Sequence, residues 1–429
     1  MPLWLSLTAM HLTPLNLKAM EEIFEKALGV ENPWFIETTA FDVNEKRLDI
    51  RINFKRSWRF SLEEGGPVFP VHDTEEKTWR HLNFFQHECY LHVRVPRVRT
   101  DDGRTITVLP PWAGRMLGFT LLFEALLLEL CRNMPVIQVA LMTNVSGNKL
   151  WRMLDLYVEA ARFDEDCSQL STVGMDETSV AKGHDYITLF VDMDQRKTLH
   201  IAEGKDSETV KDFAGYLTDH KGKPEQITSV SCDMSPAFIK GVTDNLPKAE
   251  ITFDKFHILK IINEAVDDVR RQEAKTNPLL KKTRYIFLKN ESNLTDKQRA
   301  KKEELILADL NLQAMEALRM RETFQQIYHA ETEESFIALV QEWLDWVLNC
   351  GLEPMQKAAQ TVERHLSGIH NWMRSKINNG ILEGLNSIIQ AAKRKARGYG
   401  KKHFATIAFL LTGKLNLQKV NPFLPTRFG

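Results

Sequence analysis

Val173-Gly174-Met175-Asp176-Glu177-Thr178-Ser179 decides the fold. Its alternating side chains predict a strand, whose neighbours point to opposite faces. Asp176 then shares a face with Gly174 and Thr178, while Glu177 shares the other with Met175 and Val173. An acid within a strand is costly to bury unless it is paired or bound to a metal; at a solvated edge it costs little. Further strand-like runs follow at Tyr186–Asp192, Thr198–Ala202, Ile227–Cys232 and Glu250–Phe253, with helix-like runs at Ser207–Leu217 and Pro236–Asp244. Three strands, a helix, a strand, a helix and a strand predict an α/β unit, a mixed sheet with helices packed on it.

Asp233 would stand at the carboxyl end of the Ile227–Cys232 strand, where open α/β sheets commonly build their sites. A capping role is the alternative, but Ser235-Pro236 already supplies a cap and first turn for the next helix. Asp254 reads as the cap of a helix starting near Lys255. His257 is either a packed or solvated first-turn residue or a neighbour of the site. Asp192 and Asp194 read as turn residues.

From about Ala265 to Ser375 the chain turns helical and highly charged. Thr295 opens a long helix carrying Leu305, Leu312, Met315 and Leu318, and another carries Phe336, Val340, Trp343 and Val347. This stretch reads as an insertion. Beyond it, Ile381 to Ala396 is amphipathic, with Ile381, Leu385, Ile388 and Ala392 as its apolar stripe. Glu383 lies off that stripe with Ser387, Gln390 and Arg394, facing either a cleft or water. Three carboxylates on separate elements could hold two Mg²⁺ or Mn²⁺ ions, since hard cations want oxygen ligands. Lys393, Arg394, Lys395, Arg397, Tyr399, Lys401 and Lys402 follow at once. Dense cations with an aromatic suit a nucleic-acid backbone and a ring against it, although a helix end also favours cations.

Toward the amino terminus, Thr13-Pro14 signals a helix start, with Leu17, Met20, Phe24 and Leu28 at helical spacing and Gly29 as its stop. Leu48, Ile50, Ile52 and Phe54, then Leu91, Val93 and Val95, alternate as half-buried strands do, giving a small α+β domain. Met134 to Arg162 has the proportions of a helix-turn-helix, or of any helical hairpin. In the former case Lys149 and Arg152 of its second helix are candidates for DNA contact.

Composition narrows the classes. Lys+Arg (56) and Asp+Glu (57) leave a net charge of -1, so a case for nucleic acid must come from local patches. Five scattered cysteines, with no C-x-x-C pair, read as reduced and intracellular. The oily stretch from Met116 to Cys131 contains Glu124 and Glu129, too short and too charged to span a bilayer. No secretory signal stands out, and the expectation is a cytoplasmic protein without membrane contact.

Several runs occur in order: Met175-Asp176-Glu177-Thr178-Ser179, Cys232-Asp233-Met234-Ser235-Pro236-Ala237-Phe238, Phe253-Asp254-Lys255-Phe256-His257, Asn379-Gly380-Ile381-Leu382-Glu383-Gly384-Leu385-Asn386, and Lys393-Arg394-Lys395-Ala396-Arg397-Gly398-Tyr399. Together they resemble the DDE transposases of the ISL3 group of bacterial insertion sequences. The resemblance covers nearly the whole chain and includes Trp79-Arg80-His81-Leu82 and Val95-Pro96-Arg97-Val98. It implies a ribonuclease-H-like core interrupted by a helical insertion, preceded by a small α+β domain and a helix-turn-helix. It also implies a catalytic and metal-holding triad of Asp176, Asp233 and Glu383, Mg²⁺ (or Mn²⁺) dependence, and DNA partners: terminal inverted repeats and a target. A homodimer or higher assembly on DNA is expected.

The implied segments are an amino-terminal DNA-binding domain (1–130), the helix-turn-helix (131–165), the core's first part (166–264), the insertion (265–375), the core's last part (376–415) and a tail (416–429). Relatives generally carry amino-terminal zinc-binding cysteines. Here Phe60-Ser61-Leu62-Glu63-Glu64-Gly65-Gly66 and Arg99-Thr100-Asp101-Asp102-Gly103 hold the comparable places without a cysteine. The expectation is therefore a domain that keeps its strands but binds no zinc. A catalytically inactive DNA-binding relative, and a nuclease that cuts without joining, are the competing functions.

Overall fold

The computed structural model describes residues 22–63, 65–116, 118–180, 186–307, 312–377 and 379–425. The chain divides into two compact units, residues 1–161 with 416–429, and residues 162–415. The helix start at Thr13-Pro14, with Leu17 and Met20, lies outside the described residues. Residues 22–28 are helical, and Gly29 ends that helix at φ +64°, a conformation glycine adopts without strain.

The first unit is built on a six-stranded sheet. Its strands are β1 (Trp34–Asp42), β2 (Arg47–Phe54), β3 (Arg59–Ser61), β4 (Val68–Phe84), β5 (His87–Arg99) and β6 (Thr105–Thr107). The order is β1-β2-β5-β4-β3, with β6 on β5. The alternation in β2 buries Leu48, Ile50, Ile52 and Phe54, and that in β5 buries Leu91, Val93 and Val95, as their period of two requires. Helices Leu121–Asn133, Val136–Thr143 and Gly147–Arg162 follow. Asn144, left-handed at φ 53°, ends the second and turns the chain into the third.

A fully buried acid joins these pieces. Glu124, on the first of the three helices, accepts from the Arg115 and Met116 amides at 3.0 and 2.7 Å and from the Tyr157 hydroxyl at 2.6 Å. Tyr157 Oη in turn accepts from Asn421 Nδ2 at 3.0 Å, and Asn421 also donates to the Leu121 carbonyl at 2.8 Å. Burial pushes the Glu124 carboxyl up from its ordinary range, against the pull of these donors.

In the second unit β7 (Thr172–Ser179), β8 (Tyr186–Asp192), β9 (Lys197–Glu203), β10 (Ser229–Cys232) and β11 (Glu250–Phe253) form a mixed sheet ordered β11-β10-β7-β8-β9. β7, β10 and β11 run parallel, while β7-β8-β9 is an antiparallel meander. The strands agree with their sequence signals except that β10 starts at Ser229, because Pro224–Gln226 forms a 3-10 turn before it. Helices Glu208–Asp219 and Pro236–Asn245 connect the later strands.

Beyond β11 the described residues are mainly helical to Ser375, and their apolar side chains share one core with the sheet. Val230, Phe253, Ile262, Phe324, Trp343, Met355 and Ile369 belong to one buried cluster. The single long helix expected after Thr295 is instead two, Asp296–Leu307 and Gln313–Ile327. Leu312 is the extended cap of the second (φ -78°, ψ 116°), which breaks the periodicity its side chain suggests. Helices Gly380–Lys395 and Lys401–Thr412 complete the unit. Among the described residues no helix is long and apolar enough to cross a membrane.

Replacing Tyr157 by Phe removes one donor to a fully buried carboxylate. Urea unfolding should show a loss of about 1–3 kcal/mol; an unchanged midpoint would mean that the Glu124 network holds without it.

Candidate active site

Parallel pairing of β7 with β10 covers 172–174 against 229–231. Asp176 therefore lies beyond the last paired residue on that side, while its other edge is paired to Leu189 of β8. Asp233 follows β10 directly and Asp254 follows β11, so three carboxylates stand toward the carboxyl ends of three adjacent parallel strands. Neither of the latter two is idle locally. Asp233 Oδ1 accepts from the Ser235 amide at 3.0 Å, whereas the Ser235 side chain, expected to cap the helix, makes no cap bond. Asp254 is the cap of helix Lys255–Glu273, accepting from the Phe256 amide at 3.0 Å.

Helix Gly380–Lys395 brings the fourth carboxylate. Its buried residues are Leu382 and Ile389, one position round from the stripe of Ile381, Leu385, Ile388 and Ala392 read from the sequence; Ile381 and Leu385 pack beside Leu382, and Ile388 is exposed. The polar anchors account for the rotation. Asn386 donates to Asp176, Gln390 to Thr178 Oγ1 at 2.7 Å, and Lys393 to the Ser179 carbonyl at 2.6 Å. Asn379, just before the helix, accepts from Ser231 at 2.7 Å in a buried bond to β10. Gly174 permits the approach: a Cβ there would meet Met193 Sδ at 2.5 Å and Leu382 Cδ2 at 2.9 Å.

The result is one cavity of about 170 Å³ whose lining includes Asp176, Asp233, Asp254, His257, Lys260 and Glu383. Burial pushes the Asp176 carboxyl up to about 6, with Asp233 and Asp254 adding to the rise and the His257 imidazole and Asn386 opposing it. His257 is raised in its turn, chiefly by its 2.9 Å bond to Asp254.

Among the described residues no three His, Cys, Asp or Glu side chains stand close enough to hold one metal ion; the acids share a cavity without closing on a point. The donor set nevertheless fits a hard divalent cation. The acids offer only oxygen, and the buried Asn386 Oδ1 beside Asp176 has no hydrogen-bond partner among the described residues.

Residues 173–408, more than half the chain, match the family model of the ISL3 transposase. The chain belongs to the ISL3 transposase family. Residues 109–158 match the helix-turn-helix domain of the same family, which settles the hairpin in favour of a DNA-binding unit. The transposase for insertion sequence element IS1001 of Bordetella parapertussis is 27% identical over 344 residues, covering 78% of this chain and 84% of the relative. The transposase for insertion sequence element IS1557 of Mycobacterium tuberculosis is 26% identical over 387 residues, covering 82% and 84%. This ISL3 transposase is thus a DNA-binding, DNA-cleaving and DNA-joining enzyme.

One expectation is corrected. Residues 65–99 match the zinc-finger of the IS204/IS1001/IS1096/IS1165 transposases, which overturns the expectation of no zinc. That expectation weighed the cysteine-free flanks at 60–66 and 99–103. The likeness instead runs through the β4–β5 hairpin between them, which carries His72, His81, His87, Cys89 and His92.

Of the basic residues singled out in the sequence, Arg394, Lys395, Arg397, Lys401 and Lys402 are exposed around the end of helix Gly380–Lys395. Lys393 is tied to Ser179, and Tyr399 packs against the Val180, Ile187, Ile389 and Phe404 cluster. Lys149 and Arg152 are exposed on helix Gly147–Arg162. Sequence reasoning passed over Asn386 and Lys260. The first had a signal, since three residues beyond Glu383 a side chain lies on the same side of a helix.

Gly174→Ala should fold and bind DNA yet cleave at least about tenfold more slowly, because the helix carrying Glu383 must move away from β7. Cleavage at the wild-type rate would show that Met193 and Leu382 absorb the methyl group instead.

Proposed function

We propose that Asp176, Asp233 and Glu383 are the catalytic and metal-holding triad of a ribonuclease-H-like core in this transposase. The reading is carried by one observation: the three residues, from β7, from the end of β10 and from a helix far along the chain, line a single small cavity. The strand order, with a parallel half beside an antiparallel meander, supports the core assignment. The substrate is the terminal inverted repeat of an insertion sequence. Hydrolysis frees a 3′-hydroxyl, which then attacks target DNA, both being in-line displacements at phosphorus.

A bound Mg²⁺ or Mn²⁺ would supply Lewis-acid stabilisation of the charge on the reacting phosphate oxygens. The chain's own groups do the rest. Asn386 orients Asp176, and Gln390 and Lys393 fix the helix that presents Glu383. Asp254 keeps His257 protonated to higher pH, so that a cation stands beside the acidic cavity with Lys260, both able to meet a phosphate oxygen. Arg394, Lys395, Arg397, Lys401 and Lys402 follow the DNA backbone, with Lys393 and Tyr399 bracing their loop. Lys149 and Arg152 contact the DNA end. The functional segments are those read from the sequence, and the enzyme works in a bacterial cytoplasm as a dimer or larger assembly holding two ends.

Excision and joining of a marked plasmid element test this, with ends taken from the DNA flanking the gene. Glu383→Gln should still bind ends but lose at least about 10²-fold in cutting and joining with Mg²⁺ present; joining at the wild-type rate would remove Glu383 from the triad.

Asp176 must shed its proton to ligate a cation. Mn²⁺ affinity should therefore rise roughly tenfold per unit as pH climbs toward 6 and level off by about 7. A titration by calorimetry that is flat from pH 5 to 7 would exclude Asp176 as a ligand.

A further inference from the structure

Phe256 belongs to the Phe253-Asp254-Lys255-Phe256-His257 motif, yet the chemistry of the acids makes no use of it. Its ring is 47% exposed, while its near neighbour Ile258 is in the core at 1%. Three cavities meet at this ring: the acidic one and two larger ones of about 590 and 520 Å³. The larger two lie among helices Lys255–Glu273, Arg284–Leu288 and Gln313–Ile327 and share a wall of Leu259, Asn290, Arg321 and Gln325. At about 170 Å³ the acidic cavity is too small for a nucleoside, whereas the larger two fall in the range of pockets that hold small organic molecules, ~300–1,000 Å³.

Hydrogen-bonding capacity is left over on that wall. Arg321 is 1% exposed, and its Nη atoms donate to the Phe287 and Lys289 carbonyls and to Asn290 Oδ1, but its Nε has no partner among the described residues. Asn263, lining the larger cavity, has a buried Oδ1 without a partner among the described residues. Buried polar atoms of this kind are uncommon without a reason. Lys260 stands on the boundary between this cavity and the acidic one. Arg271 and Arg284 add positive charge, although both also face Asp267, at 3.6 and 3.4 Å.

We propose that the cavity beside Phe256 receives a single nucleobase swung out of the duplex next to the cleaved phosphate. The base lies with its face on the Phe256 ring and its polar edge toward Arg321 and Asn263. Geometry gives the reason. Asp176 is recessed in its cavity, and a stacked, paired nucleotide keeps its phosphate on the outside of a duplex. Extruding the nucleotide lets the phosphodiester descend to the acids while an aromatic ring replaces the lost stacking. This rests on the reading of the acidic cavity as the cleavage site.

The experiment uses the full-length protein and a duplex of the element end with its donor flank. The partner base is removed opposite each position around the cut in turn, since an unpaired base is cheaper to extrude. Binding is measured with Ca²⁺ in place of Mg²⁺. Wild type should bind about tenfold more tightly when one or two positions adjoining the cut are unpaired. Phe256→Ala should lose that gain while binding the fully paired duplex within a factor of two to three, and Phe256→Trp should keep it. Because Phe256 is half exposed, both variants should melt as wild type does. A gain that persists in Phe256→Ala, or that is absent from wild type, overturns the proposal. Glu383→Gln tests the cleavage site separately on the same duplexes. Cleavage that survives Glu383→Gln beside an intact unpaired-base gain removes the triad but leaves the pocket; the converse removes the pocket alone.

Discussion

Like charges brought together against their own repulsion set the terms for the second unit. Asp176, Asp233 and Asp254 end up near one another because the strands that carry them are parallel neighbours, and Glu383 is added from outside the sheet. Each acid is kept in place by a separate device. Asp233 and Asp254 accept backbone amides at the start of the helices that follow them, where the helix dipole favours a negative charge. Asp254 is also neutralised by His257, and Asp176 is held by Asn386. Burial does most to raise the Asp176 carboxyl, and the neighbouring Asp233 and Asp254 add to the rise. The same repulsion that makes the cavity costly without a cation makes it receptive to one.

Much of this was readable in the sequence, because period-two alternation and turn chemistry act locally. The strands of the second unit, two of the six in the first, the hairpin at 136–162, the capping role of Asp254 and the turn at Asp192, whose Oδ1 accepts from the Asp194 and Gln195 amides, all come from neighbours a few residues apart. The face of helix Gly380–Lys395 did not. Counting apolar residues put Ile388 against the core, where it is exposed, and missed Leu382 and Ile389, which are buried. The docked face is instead decided by Asn386, Gln390 and Lys393 reaching partners some two hundred residues away on β7, and by Gly174 having no side chain to stop Leu382. A pattern count cannot see a partner at that distance. The same limit hid the break at Leu312, where helical spacing continues across a helix end. The amino-terminal module was misjudged for another reason: cysteine spacing is a sharp signal when present, and its absence says less than the strands around it.

Basic residues near the end of the Glu383 helix divide by task. Lys393 and Tyr399 hold the loop to the sheet and to the Phe404 helix, while Arg394, Lys395, Arg397 and Lys402 extend into solvent. A chain with a net charge of -1 can therefore present a local cationic surface beside an acidic cavity. Under the proposed function the former would draw phosphates toward the cavity, and a cation would neutralise the latter for them.

The helices between Lys255 and Ser375 share one continuous core with the sheet, down to Gly368 lying flat against Phe253 and Asn371 donating to the Ile251 carbonyl at 2.9 Å. Glu383 comes after all of them. During synthesis the ribosome thus delivers the first three acids early and the fourth only once more than a hundred intervening residues have emerged and packed. A nascent chain that stops short of Glu383 carries an incomplete set of acids, so the activity proposed for the cavity waits on helix Gly380–Lys395.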